Sequence, residues 1–456
     1  MDYDITVIGA GPGGYVAAIA AAQRQKRVCI IERGKEGGVC LNEGCIPTKT
    51  LIKTVNLYDE LKKADDFGIK GIDTSNISID LSKLQARKES VVSRLRGGVS
   101  GLLKGNGVTI INGSAAFKDR NTVIVDEKEI TSEYFIIATG SSAYMPPFIA
   151  VDGDSNVITS REALDILQIP KAIGIIGGGV IGIEFAYIFS KLGAEVFVFE
   201  MMDQILPMLD KEVSEMAKKR LEQAGIEFFC GAKVTAIKDN HIFFEHEGNS
   251  LNKSADCVLM AVGRTPDTDG LNAEAIGLEL NNGAIKTSET MQTNIQNIYA
   301  VGDVNGVSML AHTASHEGII AVKNICGQAG VMDYSRVPSC IYIEPEIACI
   351  GLTEEQASKT CDIKVGRFPL AGNGKALVEG ETEGLAKVIL DSSTGEILGA
   401  HLYGIRATDM ISEISTAMAA EATGDEIINA IHPHPTVSEI IPEAFMDALG
   451  RAIHWM

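Results

Sequence analysis

Apolar residues in this chain come in short unbroken runs, and one arrangement of runs occurs twice. Ile5 to Ile8 lead into Gly9, Gly11 and Gly14, then into the small-residue stretch YVAAIAAAQ, and a second apolar run, Val28 to Ile31, ends in Glu32. An apolar run without alternation predicts a strand buried on both faces, and the alanine-rich stretch predicts the helix that crosses over to the next strand. The turn between them has the spacing G-x-G-x-x-G. Gly9 permits a tight turn, Gly11 lets a pyrophosphate approach the backbone, Gly14 lets helix pack on strand, and Glu32 can accept hydrogen bonds from ribose hydroxyls.

The same unit recurs in AIGIIGGGVIGIEFAYIFSKLGAEVFVFE, with Gly177, Gly179 and Gly182. Glu200 stands 23 residues after Gly177, as Glu32 does after Gly9, so glycines and acids share an offset of 168. Two such units predict two bound dinucleotides, and a redox protein with two most economically pairs a flavin with a nicotinamide. A duplicated packing motif with one copy idle is the plainer alternative, and the matched acid spacing speaks against it.

Each repeat closes on another buried run, YFIIATG ending at Gly140 and CVLMAVG ending at Gly263. Pro146-Pro147 and Arg264-Thr265-Pro266 follow and read as linkers, which makes the second nucleotide unit an insertion in the first. A later run, NIYAVGD, puts Asp303 at a strand's carboxyl end, where open parallel sheets bind ligands, although a turn-forming Asp fits equally. After Tyr334 the pattern changes to short β-rich runs separated by turns, with helices from about Asp409, the mark of a separate α+β domain.

Composition narrows the class. The 456 residues are 45% hydrophobic and 22% charged, which suits a folded α/β chain of about three domains. The opening MDYDITVIG carries acids where a signal peptide has basic residues, and no uncharged apolar run reaches the ~20 residues that span a bilayer, so a cytoplasmic protein is expected. A net charge of −20 argues against nucleic acid or an anionic membrane as partner. Residues 337 to 456 hold 18 acids against 7 Lys and Arg, so −11 of that charge lies in the last 120 residues. That region is either a solvated acidic surface or a dock for a basic protein. Seven of the nine cysteines lie singly, as in a reduced compartment, and no C-x-x-C pair occurs. His312 and His316 have helical spacing, but the acid falls after the second histidine, so no metal site is expected.

Two stretches carry candidate chemistry. Cys40 and Cys45 have four residues between them in EGGVCLNEGCIPTKT, and Pro47 suits the first turn of a helix. Cys45 at that helix N-terminus would be stabilised as a thiolate, and the pair could close and open as a disulfide. Two buried cysteines, or half of a zinc site, are the alternatives. In IHPHPTVSE, a helix starting near Ser438 would bring Glu439 back towards His432 and His434, orienting one imidazole for proton transfer. A helix-capping histidine is the plainer reading.

Taken together, GGVCLNEGCIPTK, GGGVIGIEFA, NIYAVGDV, MLAHTASHEG and HPHPTVSE resemble, in order and spacing, the flavin-dependent pyridine nucleotide–disulfide oxidoreductases, and among them the dihydrolipoamide dehydrogenases. NADPH-dependent glutathione reductases place arginines where this chain has Glu200-Met201-Met202, and mercuric reductases add a C-terminal cysteine pair that RAIHWM lacks. The resemblance implies two Rossmann-like domains and a C-terminal α+β dimerisation domain. The expected spans are 1–143 for FAD, 144–265 for NAD, 266–335 completing the FAD site, and 336–456 for dimerisation. It assigns FAD to Gly9, Gly11, Gly14, Glu32, Lys49, Gly140, Asp303 and Ala311. It assigns NAD to Gly177, Gly179, Gly182, Glu184, Glu200 and Gly263, with Lys49 and Glu184 as an ion pair beside the flavin. Cys40 would exchange with substrate, Cys45 would face the flavin, and His434 with Glu439 would move the proton. Glu43 and Thr48 depart from residues that are often smaller or apolar in relatives. The implied reaction oxidises dihydrolipoyl groups and reduces NAD, in a homodimer whose partner subunit supplies the histidine. The lipoyl group would arrive on an acyltransferase or carrier protein of a 2-oxo acid dehydrogenase or glycine cleavage complex. Reduction of another small disulfide with NAD(P)H, or a docking flavoprotein with little turnover, are the rival readings.

Overall fold

A computed structural model describes residues 1–153 and 155–454. The apolar run Tyr3–Ile8 is the centre of a parallel sheet, between Val28–Glu32 and the long strand Lys128–Ile137, with Thr109–Asn112 outside the former and Ile298–Ala300 beside the latter. The first half of Lys128–Ile137 instead pairs antiparallel with Thr122–Val125, which pairs with Ala115–Asp119. Ile298–Ala300 returns to this sheet after the second nucleotide unit has been built, so that unit is an insertion.

The inserted unit is a second parallel sheet in the order Ile226–Cys230, Glu195–Glu200, Ala172–Ile176, Cys257–Met260, Val157–Ile158. Its register repeats the first sheet's: Ile5 faces Val28, and Ile173 faces Val196. Of the two expected linkers, Arg264-Thr265-Pro266 is a strand, whereas Pro146-Pro147 lies outside any strand. Ser141–Ala143 and Arg264–Pro266 pair antiparallel, forming a two-stranded strap where the chain leaves and re-enters the first unit.

The C-terminal part is a five-stranded antiparallel sheet in the order Ser339–Ile341, Ile347–Gly351, Ile397–Tyr403, Leu385–Asp391, Ile363–Pro369. One face packs on the helices Ala407–Ala419 and Ile440–Ala448 through Ala386, Val388, Leu390, Ile414 and Phe445. A different apolar cluster crosses all three units, joining Leu51, Ile52 and Val55 to Phe185 and Phe189 of the second unit and to Ile341 and Tyr403. Burial of that many apolar side chains in one cluster holds the units in a single arrangement. Among the described residues no helix is long and apolar enough to cross a membrane.

Candidate active site

Cys40 lies on the short helix Gly38–Glu43 and Cys45 is the first residue of the helix Cys45–Lys62. Their sulfurs are joined in a disulfide with Cα atoms 4.7 Å apart. The segment between the cysteines is therefore mostly helical, ended by Gly44, rather than a loop. Gly37 and Gly38 both have positive φ, and a Cβ on Gly38 would fall 2.6 Å from the Gly11 Cα. Only glycine at 38 lets the redox helix lean on the first glycine turn. Thr48 is buried and donates its hydroxyl to the Gly44 carbonyl at 2.6 Å, closing the first turn after Cys45. Cys45 thus sits where backbone N–H groups lack intrahelical partners, a place that favours a thiolate.

One turn along the same helix, Lys49 reaches the second unit. Its Nζ lies 2.8 Å from Glu184 Oε2 and 4.6 Å from the centre of the Tyr342 ring. Glu184 is 3% exposed and its other oxygen accepts from the Tyr342 N–H at 3.1 Å. This carboxylate joins a helix of the first unit to a strand-end of the C-terminal part. Burial pushes the Tyr342 hydroxyl up to about 12, so it stays neutral at physiological pH.

The two glycine turns have matching geometry. Gly9 and Gly177 have φ of 101° and 109°, and a Cβ on Gly14 or Gly182 would lie 1.8 or 1.9 Å from the carbonyl oxygen of Gly9 or Gly177. Glu32 accepts from the N–H groups of Ala10 and Gly34, each at 2.7 Å. Glu200 accepts from Gly178 at 2.6 Å and from Met202 at 2.8 Å. Each acid is fixed by two backbone donors and retains lone pairs for a ribose.

Both turns open into one cleft of about 2000 Å³, which is also lined by the disulfide. Gly9, Gly11, Glu32, Cys40, Cys45, Lys49, Gly140, Gly177, Gly179, Glu184, Glu200, Gly263, Asp303 and Ala311 all line it. Gly14 and Gly182 do not, because their place is in the packing of helix on turn. The cradles fit dinucleotides: backbone N–H groups and bare glycine Cα atoms face the space, and any Cβ at Gly14 or Gly182 would close the turn.

Asp303 follows the strand Ile298–Ala300 in a single turn of 3₁₀ helix, Gly302–Asn305. It accepts from the Ser141 hydroxyl, which in turn accepts from Arg264 Nε at 2.7 Å. The strap between the units is thereby tied to the Asp303 turn. From below, fully buried Glu317 accepts from Gly302 N–H at 2.5 Å, Asn305 at 3.0 Å and the Tyr334 hydroxyl at 2.7 Å. Burial raises the Glu317 carboxyl above its usual range, against those hydrogen bonds. Arg264, Ser141 and Tyr342 were not among the expected site residues. Arg264 read as linker because its partners are 123 and 39 positions away.

His434 and Glu439 are brought together, Nδ1 to Oε1 at 2.9 Å, but they do not line the cleft of their own chain. The His434 side chain is 78% exposed. Glu439 stands on the 3₁₀ turn Val437–Glu439 and also accepts from the Thr436 N–H at 2.8 Å. Burial works against its charge, yet those hydrogen bonds hold the carboxyl below its usual range. His432 pairs separately with Glu413 at 2.7 Å.

Comparison with known proteins agrees with this geometry over the whole chain. A family model described as pyridine nucleotide-disulphide oxidoreductase matches residues 3–318, and one described as its dimerisation domain matches residues 337–445. A dihydrolipoyl dehydrogenase of Bacillus subtilis is 39% identical over 457 residues, 99% of each chain. One of Geobacillus stearothermophilus is 40% identical over 464 residues, covering 100% of this chain and 98% of its own. Among solved structures, the HOCl-induced flavoprotein disulfide reductase RclA from Escherichia coli superposes with a TM-score of 0.85 at 29% identity, covering 97% of this chain and 99% of its own.

Proposed function

This chain belongs to the pyridine nucleotide-disulphide oxidoreductase family, and from that premise we propose that it oxidises protein-bound dihydrolipoyl groups and passes the electrons to NAD. One observation carries the reading: the Cys40–Cys45 disulfide lines the same cleft as both glycine turns. FAD and NAD are the cofactors. FAD is assigned to the first turn with Glu32, Lys49, Gly140, Asp303 and Ala311, and NAD to the second with Glu200 and Gly263; Glu184 serves both through Lys49. The spans 1–143, 144–265, 266–335 and 336–456 remain our division of the chain.

The chain's own residues divide the work as follows. A dihydrolipoyl thiol gives its proton to His434 and the thiolate attacks the sulfur of Cys40, breaking the disulfide and releasing Cys45 as a thiolate. Glu439 holds the His434 Nδ1, leaving Nε2 to take the proton. The second lipoyl thiol passes its proton to the departing Cys40 sulfur as its own sulfur displaces Cys40, so lipoyl closes and leaves Cys40 as thiol, Cys45 as thiolate and the other proton on His434. Cys45 is favoured as the thiolate by its helix N-terminus, and the Lys49 cation one turn on adds to that field. A flavin held at the first turn beside Lys49 would supply the two-electron chemistry that links the dithiol to NAD.

Because His434 is exposed and outside its own cleft, we assign it to the cleft of a second copy, giving a two-fold dimer with shared sites. The acidic C-terminal region is assigned the basic segment of the lipoyl-bearing acyltransferase or carrier protein, in the cytoplasm. The test is anaerobic addition of dihydrolipoamide to the yellow protein. A long-wavelength thiolate-to-flavin band and stoichiometric NADH on adding NAD support the reading, and Cys45→Ser loses both. If glutathione or another disulfide is turned over and dihydrolipoamide is not, the substrate assignment is wrong. For the dimer, a heterodimer of Cys45→Ser and His434→Gln chains regains about half of normal activity if sites are shared. If it stays as inactive as its parents, they are not.

A further inference from the structure

The C-terminal sheet carries a row of basic side chains on the face opposite its helices. Arg367, Lys387 and His401 are register partners on three adjacent strands. The alternation that sends Ala386 and Val388 into the helix-covered core sends Lys387 the other way. There it meets the second nucleotide unit. Lys387 is 2% exposed, and its Nζ lies 2.7 Å from Asp210, 3.0 Å from Glu212 and 2.7 Å from Glu354. Arg367 completes the group, 2.9 Å from Glu212 and 2.8 Å from Glu354. A lysine buried to this degree needs such pairing to stay charged.

Asp210 is the far end of a tether. It caps the helix Lys211–Gln223, accepting from Glu212 N–H at 3.1 Å, and accepts from Glu354 N–H of the C-terminal part at 3.1 Å. The segment 201–209 runs from Glu200 to Asp210 and contributes Met201, Pro207 and Met208 to the cleft wall. In its middle the Leu206 N–H donates to the Gly178 carbonyl at 2.8 Å, and the Gly178 N–H in turn donates to Glu200. The segment is thus pinned within its own unit, where Gly231 N–H donates to the Met202 carbonyl at 2.9 Å, the Ser214 hydroxyl to the Ile205 carbonyl at 2.7 Å and Leu206 N–H to Gly178. It is pinned at its end by Asp210, and of these the Asp210 end reaches across to the C-terminal part.

We propose that Lys387 is a positioning residue for the second dinucleotide: through Asp210 it holds segment 201–209 in the conformation that walls the cleft beside Glu200. This deepens the reading of the second turn as the NAD site and rests on it. Lys387 touches neither disulfide nor first turn, so its loss should separate the two halves of the reaction.

The experiment uses the FAD-loaded protein with Lys387→Met and, independently, Asp210→Asn. Either variant is expected to raise KM for NADH about tenfold, the equivalent of about 1.4 kcal/mol. FAD retention, the rate of reduction by dihydrolipoamide and KM for dihydrolipoamide should stay within about twofold of normal. Lys387→Arg should recover most of the loss. If Lys387→Met does not fold, Asp210→Asn is judged by the same readings. An unchanged KM for NADH in a folded variant overturns the proposal, as does an equal loss on both substrates. Failure of the underlying reading looks different: the unaltered protein itself is then not reduced by dihydrolipoamide, whatever stands at 387.

Discussion

The two glycine turns are near copies in the backbone and opposites in their surroundings. In each, the first glycine donates its N–H to the strand bearing the acid, Gly9 to Ile31 and Gly177 to Phe199, both at 2.8 Å. Around the first, however, Gly13 faces Ala314 so closely that a Cβ would lie 3.1 Å from its carbonyl oxygen, and a Cβ on Gly318 would lie 2.6 Å from the Gly13 carbonyl. The helix Ala311–Ile325 therefore lies against the first turn's helix, and the redox helix covers the turn through Gly38. In the second copy Ile181 stands where Gly13 does, and a Cβ on Gly179 would meet nothing within 4 Å. One motif has thus been enclosed and the other left open. That difference suits a flavin retained through turnover and a nicotinamide that must come and go.

The largest effects should come from filling the turns. Gly14→Val is expected to yield colourless protein, and Gly182→Val to stay yellow while KM for NADH rises on the order of 100-fold, since overpacking costs of ~3 kcal/mol are common. Flavin absorbance and steady-state kinetics check both. Matching losses of flavin in the two variants would abolish the distinction between retained and exchanged dinucleotide.

A smaller contrast lies in the roof. Gly13→Leu should speed FAD dissociation roughly tenfold, because the Ala311–Ile325 helix must move to accept the side chain. Ile181→Ala, at the matching position, should leave flavin release unchanged. The release of flavin fluorescence over time measures this.

Next come the acids. Glu200→Gln should raise kcat/KM for NADPH relative to NADH several-fold, since removing one charge near a 2′-phosphate lifts a repulsion of about 1 kcal/mol. Glu32→Gln should leave that ratio alone. A ratio unmoved by Glu200→Gln would mean that the 2′-phosphate is excluded by shape.

The smallest effect involves Glu344, where the Cys45–Lys62 helix, through Asn56, meets the C-terminal part near Tyr187. Burial first, then the charges of Glu346 and Glu381, pushes its carboxyl from 4.5 to about 7. A raised carboxyl favours the neutral form when folded. Its contribution is therefore complete below pH 4.5 and is lost as pH rises through 7. Tm should fall by roughly 2 °C more between pH 5.5 and 8 in the natural chain than in Glu344→Gln, read by calorimetry. Equal slopes would place the titration elsewhere.

Much of this was legible along the chain, because its causes are local. A tight turn followed by a helix needs glycine at Gly9 and Gly14 whatever lies around it, and the apolar runs that flank it have no solvent-facing alternation. Cys45 at a helix N-terminus follows from Pro47 two residues on. The matched offset of 168 predicted two equivalent sites. What it could not distinguish was which would be roofed, since the roof is helix Ala311–Ile325, some 300 residues from Gly13. The Lys49–Glu184 pair spans 135 positions and was expected only through the family resemblance, since nothing local in either segment calls for it. Lys387 is a lone cation within the otherwise apolar, buried run Leu385–Leu390, and nothing near it in sequence requires a cation. Its role comes into being only where a sheet face meets the cap of another unit's helix. Pairing, enclosure and the burial of charge are properties of surfaces that folding brings together, so they were decided by tertiary structure, while turns, strands and the reactive thiol pair were written locally.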